Sequence, residues 1–462
     1  MDSRWEDSLL LFQAKMRAGG LAPVVTGTFA HYYRQVCTGE TGLICDQEIR
    51  PIHPDEITLY EDLDEFTAKG RSVAHQAMMI RLNGGLGTSM GLTGPKSLLP
   101  VKNDKSFLEI ILGQTECQGT TLALMNSFNT HMATLAALKR INPKQNPLLF
   151  LQNKFPKIRQ DDLSPAHWPD DPSLEWNPPG HGDVFTALSS SGMLEDLIHR
   201  GIQYAFIANS DNLGATMDAG LLGYFAENGF PFMMEVAEKT PSDIKGGHIA
   251  RRHDGRLVLR ESAQCPVDEL DAFKDIRRYR YFNTNNIWVN LLRLQAVFEK
   301  EGAIHLPIII NPKTLDPRDA NSPPVYQIET AMGAAVSLFD DASAIRVPRS
   351  RFLPVKKCND LMAVRSDCYL LNTDFKLDQN PDRTLPAIRI QLDKRFFQKI
   401  DDFDARFAGG IPSLIDCESL IVEGDVAFEA DVIFKGQITI KNNSDRQATI
   451  RSGVIVDNQQ IV

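Results

Sequence analysis

The sequence of 462 residues predicts an α/β protein with a mainly parallel, Rossmann-like sheet, followed by a C-terminal left-handed parallel β-helix. Three observations support this prediction. Short apolar runs alternate with helix-like segments between residues 77 and 290, a glycine-rich loop follows the first run, and apolar residues recur every six positions after residue 416. Alternating strands and helices are typical of a parallel sheet covered on both faces. The six-residue period is typical of a β-helix.

The length predicts several folding units, because a chain of this size exceeds one simple hydrophobic core. We divide it into an N-terminal helical or accessory segment (1–70), an α/β domain (71–375) that would carry the chemistry, and the β-helix with its linker (376–462). Within the central domain, the periodicity predicts a helix at 131–139 and strands at 77–82, 121–125, 148–152, 204–208, 230–236 and 286–289.

The composition is that of an ordinary globular protein, with 43% hydrophobic and 23% charged residues. A net charge of −10 argues against nucleic acid or a membrane surface as the main partner. The seven cysteines are scattered without metal-binding spacing, which favours reduced thiols. Because the N-terminus lacks the pattern of a signal peptide and no apolar run is long enough to span a bilayer, we expect a cytoplasmic protein.

The glycine-rich loop lies between Leu82 and Lys96 and contains glycines at 84, 85, 87, 91 and 94. Because glycine has no side chain, the backbone N–H groups of such a loop can turn inward and approach a ligand closely. Lys96, at the end of the loop, supplies a point charge for phosphate. The loop is therefore predicted to bind phosphate.

Two other kinds of glycine loop fit less well. The phosphate loop of NTPases needs glycine directly before the lysine, whereas here Pro95 intervenes and removes a backbone N–H donor. A dinucleotide-binding dehydrogenase would use the loosened G-x-G-x-x-x-G spacing, with Glu109 as the acid that binds the ribose. That alternative gives Lys96 no role.

Polar segments follow the predicted strands, at the edge of the sheet where α/β proteins bind ligands. Asp211, in IANSDNLGAT, could hold Mg²⁺ together with phosphate oxygens and water, or could cap a helix that begins near Ala215. His181, in the rigid segment WNPPGHGD (176–183), could donate to a sugar or phosphate oxygen or could be an ordinary loop histidine. The cationic segment PRSRFLPVK (348–356) is predicted to be a partly buried, fixed strand.

The C-terminal repeat consists of two interleaved apolar series with a break at 442–446, after which the period resumes with Ile450, Val456 and Val462. The series are Leu420, Val426, Val432, Ile438 and Val422, Phe428, Phe434, Ile440, with small residues at Gly424, Ala430 and Gly436. The open end of a β-helix exposes strand edges, so this segment is a possible surface for homo-oligomer formation.

The segment LNGGLGTSMGLTGPKS (82–97) resembles the signature of the UTP–glucose-1-phosphate uridylyltransferases, the eukaryotic-type UDP-glucose pyrophosphorylases. Ser89 stands where the broader nucleotidyltransferase group usually has arginine. The segments PPGHGD, NSDNLGA and RSRFLPVK also match, and the resemblance covers most of residues 50–440. It implies a nucleotidyltransferase fold for the α/β domain and makes Lys356 the candidate that replaces the charge absent at Ser89.

The resemblance also implies roles for individual residues. UTP would contact Leu82, Asn83, Gly84, Gly85, Lys96, Gln152, Gly180 and Lys356. Glucose 1-phosphate would contact Gly85, His181, Asn209, Asp211, Asn285 and Glu329. Lys96 and Lys356 would be the catalytic residues, and Asp211 would hold Mg²⁺. Glu329 could instead cap a helix.

The reaction implied is attack by glucose 1-phosphate on the α-phosphorus of UTP, which gives UDP-glucose and pyrophosphate. Two alternatives remain beside the dehydrogenase. The protein could use an N-acetylhexosamine 1-phosphate in place of glucose 1-phosphate, or it could be a non-catalytic protein that binds nucleotide sugars.

Overall fold

The computed structural model describes residues 3–461. Its α-helices are α1 Ser3–Ala18, α2 Pro23–Cys37, α3 Thr67–Val73, α4 Phe107–Gln118, α5 His131–Ile141, α6 Val184–Ser190, α7 Met193–His199, α8 Ala219–Glu227, α9 Leu270–Lys274, α10 Leu291–Glu301, α11 Cys358–Arg365, α12 Lys394–Phe397 and α13 Ile400–Arg406.

The strands are β1 Ile49–Pro51, β2 Thr58–Leu59, β3 Ala77–Asn83, β4 Pro100–Lys102, β5 Lys105–Ser106, β6 Thr121–Asn126, β7 Leu148–Leu151, β8 Phe155–Pro156, β9 Ile158–Arg159, β10 Trp176–Asn177, β11 Tyr204–Asn209, β12 Phe232–Glu238, β13 His248–Arg252, β14 Leu257–Arg260, β15 Tyr281–Asn290, β16 Ile308–Thr314, β17 Pro324–Thr330, β18 Ser343–Arg346, β19 Tyr369–Leu371, β20 Leu377–Gln379, β21 Arg389–Leu392, β22 Cys417–Glu423, β23 Val426–Phe428, β24 Ile433–Lys441, β25 Ala448–Ile450, β26 Ile455–Asp457 and β27 Gln460–Ile461.

The central sheet has the strand order β2-β18-β12-β15-β11-β3-β6-β7; in addition, β13 pairs with the middle strand β15 and carries β1 and β14 on its own edges. Its neighbours β11, β3, β6 and β7 run parallel to one another, as do β12, β18 and β2. The apolar run of β3 divides between the two faces, because Met79 packs into one core and Met78 and Ile80 into the other. Helices α4, α5 and α8 cover the first face, and α6, α7 and α10 cover the second. This confirms the predicted α/β fold.

One strand departs from the parallel pattern. The sequence predicted a short strand at 286–289, whereas β15 is longer and runs antiparallel to both β11 and β12. A single antiparallel strand therefore divides the two parallel groups. The pairing of β12 with β15 also shifts register between Glu235 and Val236, which leaves Thr284 and Asn285 in a β-bulge.

Helices α3 and α8 approach each other so closely that a side chain at Gly70 would collide with the backbone: a Cβ there would lie 1.8 Å from the carbonyl oxygen of Ala219. We expect Gly70→Ala to destabilise the protein by about 1–3 kcal/mol, because the helices must separate to admit the methyl group. Gly27→Ala in α2, where a Cβ meets no atom within 4 Å, should be neutral or stabilise by up to about 1 kcal/mol. Urea unfolding of both variants checks this; equal midpoints would contradict it.

The N-terminal segment contains strands of the central sheet as well as helices. Helices α1 and α2 pack on Phe155, Ile158 and Ile328, next to the strands that follow β7. Strand β1 pairs with β13, and β2 forms one edge of the central sheet beside β18. The segment 1–70 therefore contributes two strands to the sheet as well as the predicted helices.

The C-terminal segment consists of short strands that pair in parallel. Strands β21, β22, β24 and β26 pair in that order, β23 pairs with β25, and β27 pairs with β24. The residues of the six-residue period lie opposite one another, such as Leu420 with Ile438 and Val422 with Ile440, and all four are buried. Val462 of the predicted repeat lies outside the described residues.

The seven cysteines all lie in the described part of the chain and are free thiols. None of the helices formed by residues 3–461 combines the length and the apolar character that a membrane-spanning helix requires.

Candidate active site

The glycine loop follows β3 directly, and its ends are joined by a hydrogen bond from the backbone N–H of Lys96 to the carbonyl of Gly85, 3.0 Å long. Gly87 and Gly91 turn the chain with left-handed φ angles of 64° and 74°, a conformation that glycine adopts without steric cost. The closed loop brings Lys96 back to the carboxyl end of β3. The loop predicted from the glycine spacing is thus closed and ends on this lysine.

Lys96 meets Asp211 across the end of the sheet. Its Nζ donates to Oδ2 of Asp211 at 2.8 Å, and the side chains are 15% and 21% exposed. The two residues come from loops after β3 and β11, which are adjacent parallel strands. A cation and a carboxylate held side by side at this edge can serve a phosphate group and a metal ion, respectively.

A cavity of about 370 Å³ opens at this edge of the sheet. It brings together residues from six separate segments of the chain, and most of the residues predicted for the site line it. The lining residues are Leu82, Asn83, Gly84, Gly85, Lys96, Ser97, Met125, Gln152, Pro178, Gly180, His181, Asn209, Ser210, Asp211 and Glu329.

The segment PPGHGD contributes Pro178, Gly180 and His181 to the lining of the cavity. The side-chain Nε2 of Gln152 donates to the carbonyl of Gly180 at 2.7 Å. Nδ1 of His181 accepts a hydrogen bond from the backbone N–H of Met332 at 3.0 Å. Burial and then the charge of Lys356 lower the pKa of His181 to about 4, so the ring is neutral at pH 7 and carries its proton on Nε2. His181 is thus a hydrogen-bond donor for a ligand in the cavity.

Lys356 and Asn285, both predicted for the site, are not among the residues that line the cavity. Lys356 is exposed, but its charge acts on His181. The backbone N–H of the preceding residue, Val355, donates to the carbonyl of Asp211 at 3.1 Å. Asn285 occupies the β-bulge of β15 with a φ of 58°, a rare conformation outside glycine that concentrates at functional sites.

The cationic segment is held by a buried ion pair. Arg351 donates from Nε and Nη2 to the two carboxylate oxygens of Glu235, at 2.8 and 2.7 Å. Glu235 also accepts from Nε1 of Trp288 at 2.9 Å and from Nδ2 of Asn286 at 3.0 Å. Residues 349–351 form a turn of 3₁₀-helix, so the strand predicted here is wrong. Arg351 anchors the segment that presents Lys356, because its side chain is fixed in the core.

Two predicted alternatives for acidic residues are wrong. Asp211 does not cap a helix near Ala215; α8 begins at Ala219, and Asp218 caps it by accepting from the backbone N–H of Leu221 at 2.9 Å. Glu329 lies in β17 and faces the cavity, where burial raises its pKa.

The acidic residue that the dehydrogenase alternative requires for binding the ribose, Glu109, has a different role in the structure. Glu109 forms a capping box with Ser106 at the start of α4, accepting from the Ser106 backbone N–H at 2.9 Å and from its hydroxyl at 2.6 Å. A carboxylate engaged at a helix N-terminus in this way serves the helix rather than a ribose.

Sequence reasoning missed two polar residues of the site. The hydroxyls of Ser97 and Ser210 line the cavity, are buried and have no hydrogen-bond partner among the described residues. The adjacency of each serine to Lys96 or Asp211 was the available signal.

The mainly parallel sheet carries at one edge a glycine loop closed on a lysine and, on the adjoining strand end, a carboxylate, an arrangement that suits an enzyme of the nucleotidyltransferase type. Comparison with known proteins gives the family. The family described as UTP–glucose-1-phosphate uridylyltransferase matches residues 26–435, and the chain belongs to it.

Similar proteins of this family come from distant organisms. The chain is 38% identical to UTP–glucose-1-phosphate uridylyltransferase 2 of Dictyostelium discoideum over 90% of this chain and 83% of that protein. It is 40% identical to the Solanum tuberosum enzyme of the same name over 88% of this chain and 86% of that one.

Solved structures agree over nearly the whole length. A crystal structure of UDP-glucose phosphorylase from Trypanosoma brucei is 42% identical with a TM-score of 0.90, covering 98% of this chain and 99% of that one. A mutant of UDP-glucose pyrophosphorylase from Leishmania major in complex with UDP-Glc is 38% identical with a TM-score of 0.91, again covering 98% and 99%. The family and fold implied by the resemblance are thus confirmed.

Proposed function

We propose that the protein transfers the uridylyl group of UTP to glucose 1-phosphate, forming UDP-glucose and pyrophosphate. The observation that carries the proposal is the cavity at the carboxyl ends of β3 and β11. It joins a phosphate-binding loop to the polar wall formed by Gly180 and His181. Members of the family bear the name of this reaction.

The chemistry needs positioning and charge neutralisation rather than a covalent intermediate. A phosphate oxygen of glucose 1-phosphate attacks the α-phosphorus of UTP, and the bond from that phosphorus to the bridging oxygen of pyrophosphate breaks. The nucleophile is already ionised at neutral pH, so no general base is required. Lys96 and Lys356 neutralise the charge that gathers on the phosphates, and the backbone of the glycine loop holds the nucleotide in line.

Gln152 supplies the contact to the base. Its Nε2 donates to the carbonyl of Gly180, and its Oε1 points toward Gly84, which leaves Oε1 as an acceptor facing the cavity. Uracil presents the N3–H donor that this acceptor requires, whereas N3 of cytosine is itself an acceptor. The site therefore favours UTP over CTP.

The sugar phosphate would lie near His181 and Glu329, which line the same cavity. Nε2–H of His181 donates to a phosphate or sugar oxygen, and the carboxyl of Glu329 accepts from a sugar hydroxyl. Asn209, at the end of β11, and Asn285, in the β-bulge, supply amide groups that suit a hydroxyl-rich ligand. Gly85, where a Cβ would meet no atom within 4 Å, leaves space for the phosphate.

Asp211 is the residue that would hold Mg²⁺. Residues 3–461 contain no cluster of three or more histidine, cysteine or acidic side chains suited to a metal. A single carboxylate nevertheless fits this ion, which takes its other ligands from substrate phosphates and water. The unpartnered hydroxyl of Ser210 beside Asp211 fits the same role. Bound there, Mg²⁺ would neutralise and orient the phosphates.

The division into segments 1–70, 71–375 and 376–462, and the left-handed β-helix of the last segment, are also our proposals. The parallel pairing of β21, β22, β24 and β26 and the stacking of the six-residue period support the β-helix. A homo-oligomer formed through the β-helix is a further expectation, which sedimentation of the purified protein would test.

The reaction is tested by pyrophosphate release from UTP and Mg²⁺, with glucose 1-phosphate and N-acetylglucosamine 1-phosphate in parallel. We expect release that depends on glucose 1-phosphate and stops on addition of EDTA, since the phosphates then lose their counter-ion. Release only with N-acetylglucosamine 1-phosphate would replace the sugar in the proposal. Binding of UDP-glucose without release from either sugar would identify a non-catalytic nucleotide-sugar binding protein.

A further inference from the structure

Asp183, the last residue of PPGHGD, is buried with 4% of its surface exposed. Its Oδ2 accepts from the backbone N–H of Asn153 at 2.7 Å, and its Oδ1 accepts from Nδ2 of the same residue at 3.0 Å. Asn153 directly follows Gln152. One carboxylate therefore ties the chain that carries Gln152 to the segment that carries His181.

The carboxylate is not used as a helix cap. Asp183 directly precedes α6 but has helical φ and ψ angles of −62° and −11°, because it continues the 3₁₀ turn 181–183, and its side chain makes no capping hydrogen bond. Both carboxylate oxygens are directed to Asn153. The side chain therefore serves the loop after β7 and not the helix.

Gln152 is consequently fixed from three directions. Its backbone N–H donates to the carbonyl of Asn126 at 2.8 Å, its Nε2 donates to Gly180, and the next residue is held by Asp183. The bond to Gly180 determines which amide atom faces the cavity. If the chain at Asn153 shifts, that bond loses its alignment and the amide can turn.

We propose that Asp183 is a positioning residue for base selection: by holding Asn153, it keeps Oε1 of Gln152 turned toward the nucleobase and so makes the site select uracil over cytosine. This inference rests on the proposed function, since it assigns a role at the same nucleotide site. A free amide at position 152 could present either an acceptor to uracil or a donor to cytosine, and selection would be lost.

The position of Asp183 adds a pH dependence to this selection. Burial raises the pKa of Asp183 to about 7. The two hydrogen bonds from Asn153 oppose this rise, but burial has the larger effect. Below that pH the carboxyl gains a proton, and the protonated oxygen meets an N–H donor instead of accepting from it. The facing groups stay neutral, because burial raises the pKa of Tyr32 on α2 and lowers that of His181. Selection should therefore weaken as the pH falls through 7.

The test compares kcat/KM for UTP with that for CTP, using glucose 1-phosphate and pyrophosphate release, between pH 6 and 8. The ratio cancels the ionisation of the triphosphates, which is common to both. We expect Asp183→Ala to lower the ratio about tenfold, as for the loss of about one hydrogen bond. The KM for UTP should rise while kcat stays within about twofold, since base binding is uniform between ground and transition state.

Asp183→Asn is the conservative control. Its amide oxygen accepts the backbone N–H of Asn153, and its NH₂ donates to the Asn153 side chain after that amide turns over. The UTP to CTP ratio should therefore return to within about twofold of the parent value and lose its dependence on pH. A merely structural role would not restore the ratio while abolishing the pH profile.

Asn153→Ala removes only the side-chain bond and should lower the ratio about threefold, which keeps the inference testable if Asp183→Ala fails to fold. A folded Asp183→Ala protein, or an Asn153→Ala protein, with the parent UTP to CTP ratio would overturn the inference and leave the proposed function standing. Failure of the parent protein to release pyrophosphate from UTP would overturn the proposed function, and the inference with it.

Discussion

Replacement of Lys96 by alanine is expected to lower kcat for UDP-glucose formation by about 100-fold or more. The ammonium group lies in the cavity, 15% exposed, next to the strand ends where the triphosphate would bind. Removing one preorganised charge from a partly desolvated site costs about 10²–10³ in turnover in comparable oxyanion sites. The variant also leaves the carboxylate of Asp211 without its cation, which adds repulsion toward the phosphates. Steady-state pyrophosphate release at saturating UTP measures the effect.

Lys356 provides a second test of the same idea, and Lys357, which follows it in the sequence, provides a control. Lys356→Ala should also lower kcat by about 10² or more, because its charge reaches His181 at the cavity wall. Lys357, the next residue, is also exposed and carries the same charge, yet Lys357→Ala should stay within about threefold of the parent. Near-normal turnover of the Lys96 or the Lys356 variant would remove that residue from the mechanism.

The parts of the site that the sequence predicted are those encoded by contiguous residues. The apolar run of β3, the glycines behind it and the closing lysine lie within twenty residues, so their spacing specifies strand, loop and charge together. The positions of Gln152, His181 and Asp211 follow from the rule that neighbouring parallel strands bring their carboxyl ends to one edge. The cavity collects all of them.

The parts that could not be predicted depend on pairings between distant residues. The direction of β15 is set by its two neighbours, and the short apolar run 287–289 does not encode it. The bulge that presents Asn285 exists only because β12 and β15 differ in register. Likewise, the three cations of the segment 348–356 cannot be told apart in the sequence, although one of them is paired in the core.

That buried residue is Arg351, and its replacement by methionine is expected to destabilise the protein by about 3–5 kcal/mol. Arg351 is 7% exposed and Glu235 is fully buried. Removing the cation leaves the carboxylate charged in the core, with only the donors of Trp288 and Asn286 to solvate it. Breaking a buried ion pair in this way costs about 3–5 kcal/mol, more than the pair itself contributes over apolar residues of similar volume.

A second substitution distinguishes the effect of the uncompensated charge of Glu235 from the effect of lost packing. Adding Glu235→Gln to Arg351→Met removes the uncompensated charge while its amide oxygen still accepts from Trp288, so the double variant should recover about 1–3 kcal/mol. Arg349→Met is the matched control two residues away; Arg349 is 43% exposed and bonds to Asp243 at 2.8 Å, and its loss should cost less than about 1 kcal/mol.

The midpoint and slope of urea unfolding, measured for the Arg351 variant, the double variant and the Arg349 variant, give the three changes in the free energy of unfolding. Equal midpoints for Arg349→Met and Arg351→Met would show that the pair does not hold the fold. If instead Arg351→Met alone unfolds early, kcat of the folded fraction should also fall, because Arg351 anchors the segment that carries Lys356 to the loop of Asp211. A fall in both stability and kcat at this one arginine would show that the buried ion pair also positions Lys356, the residue proposed to neutralise the phosphates.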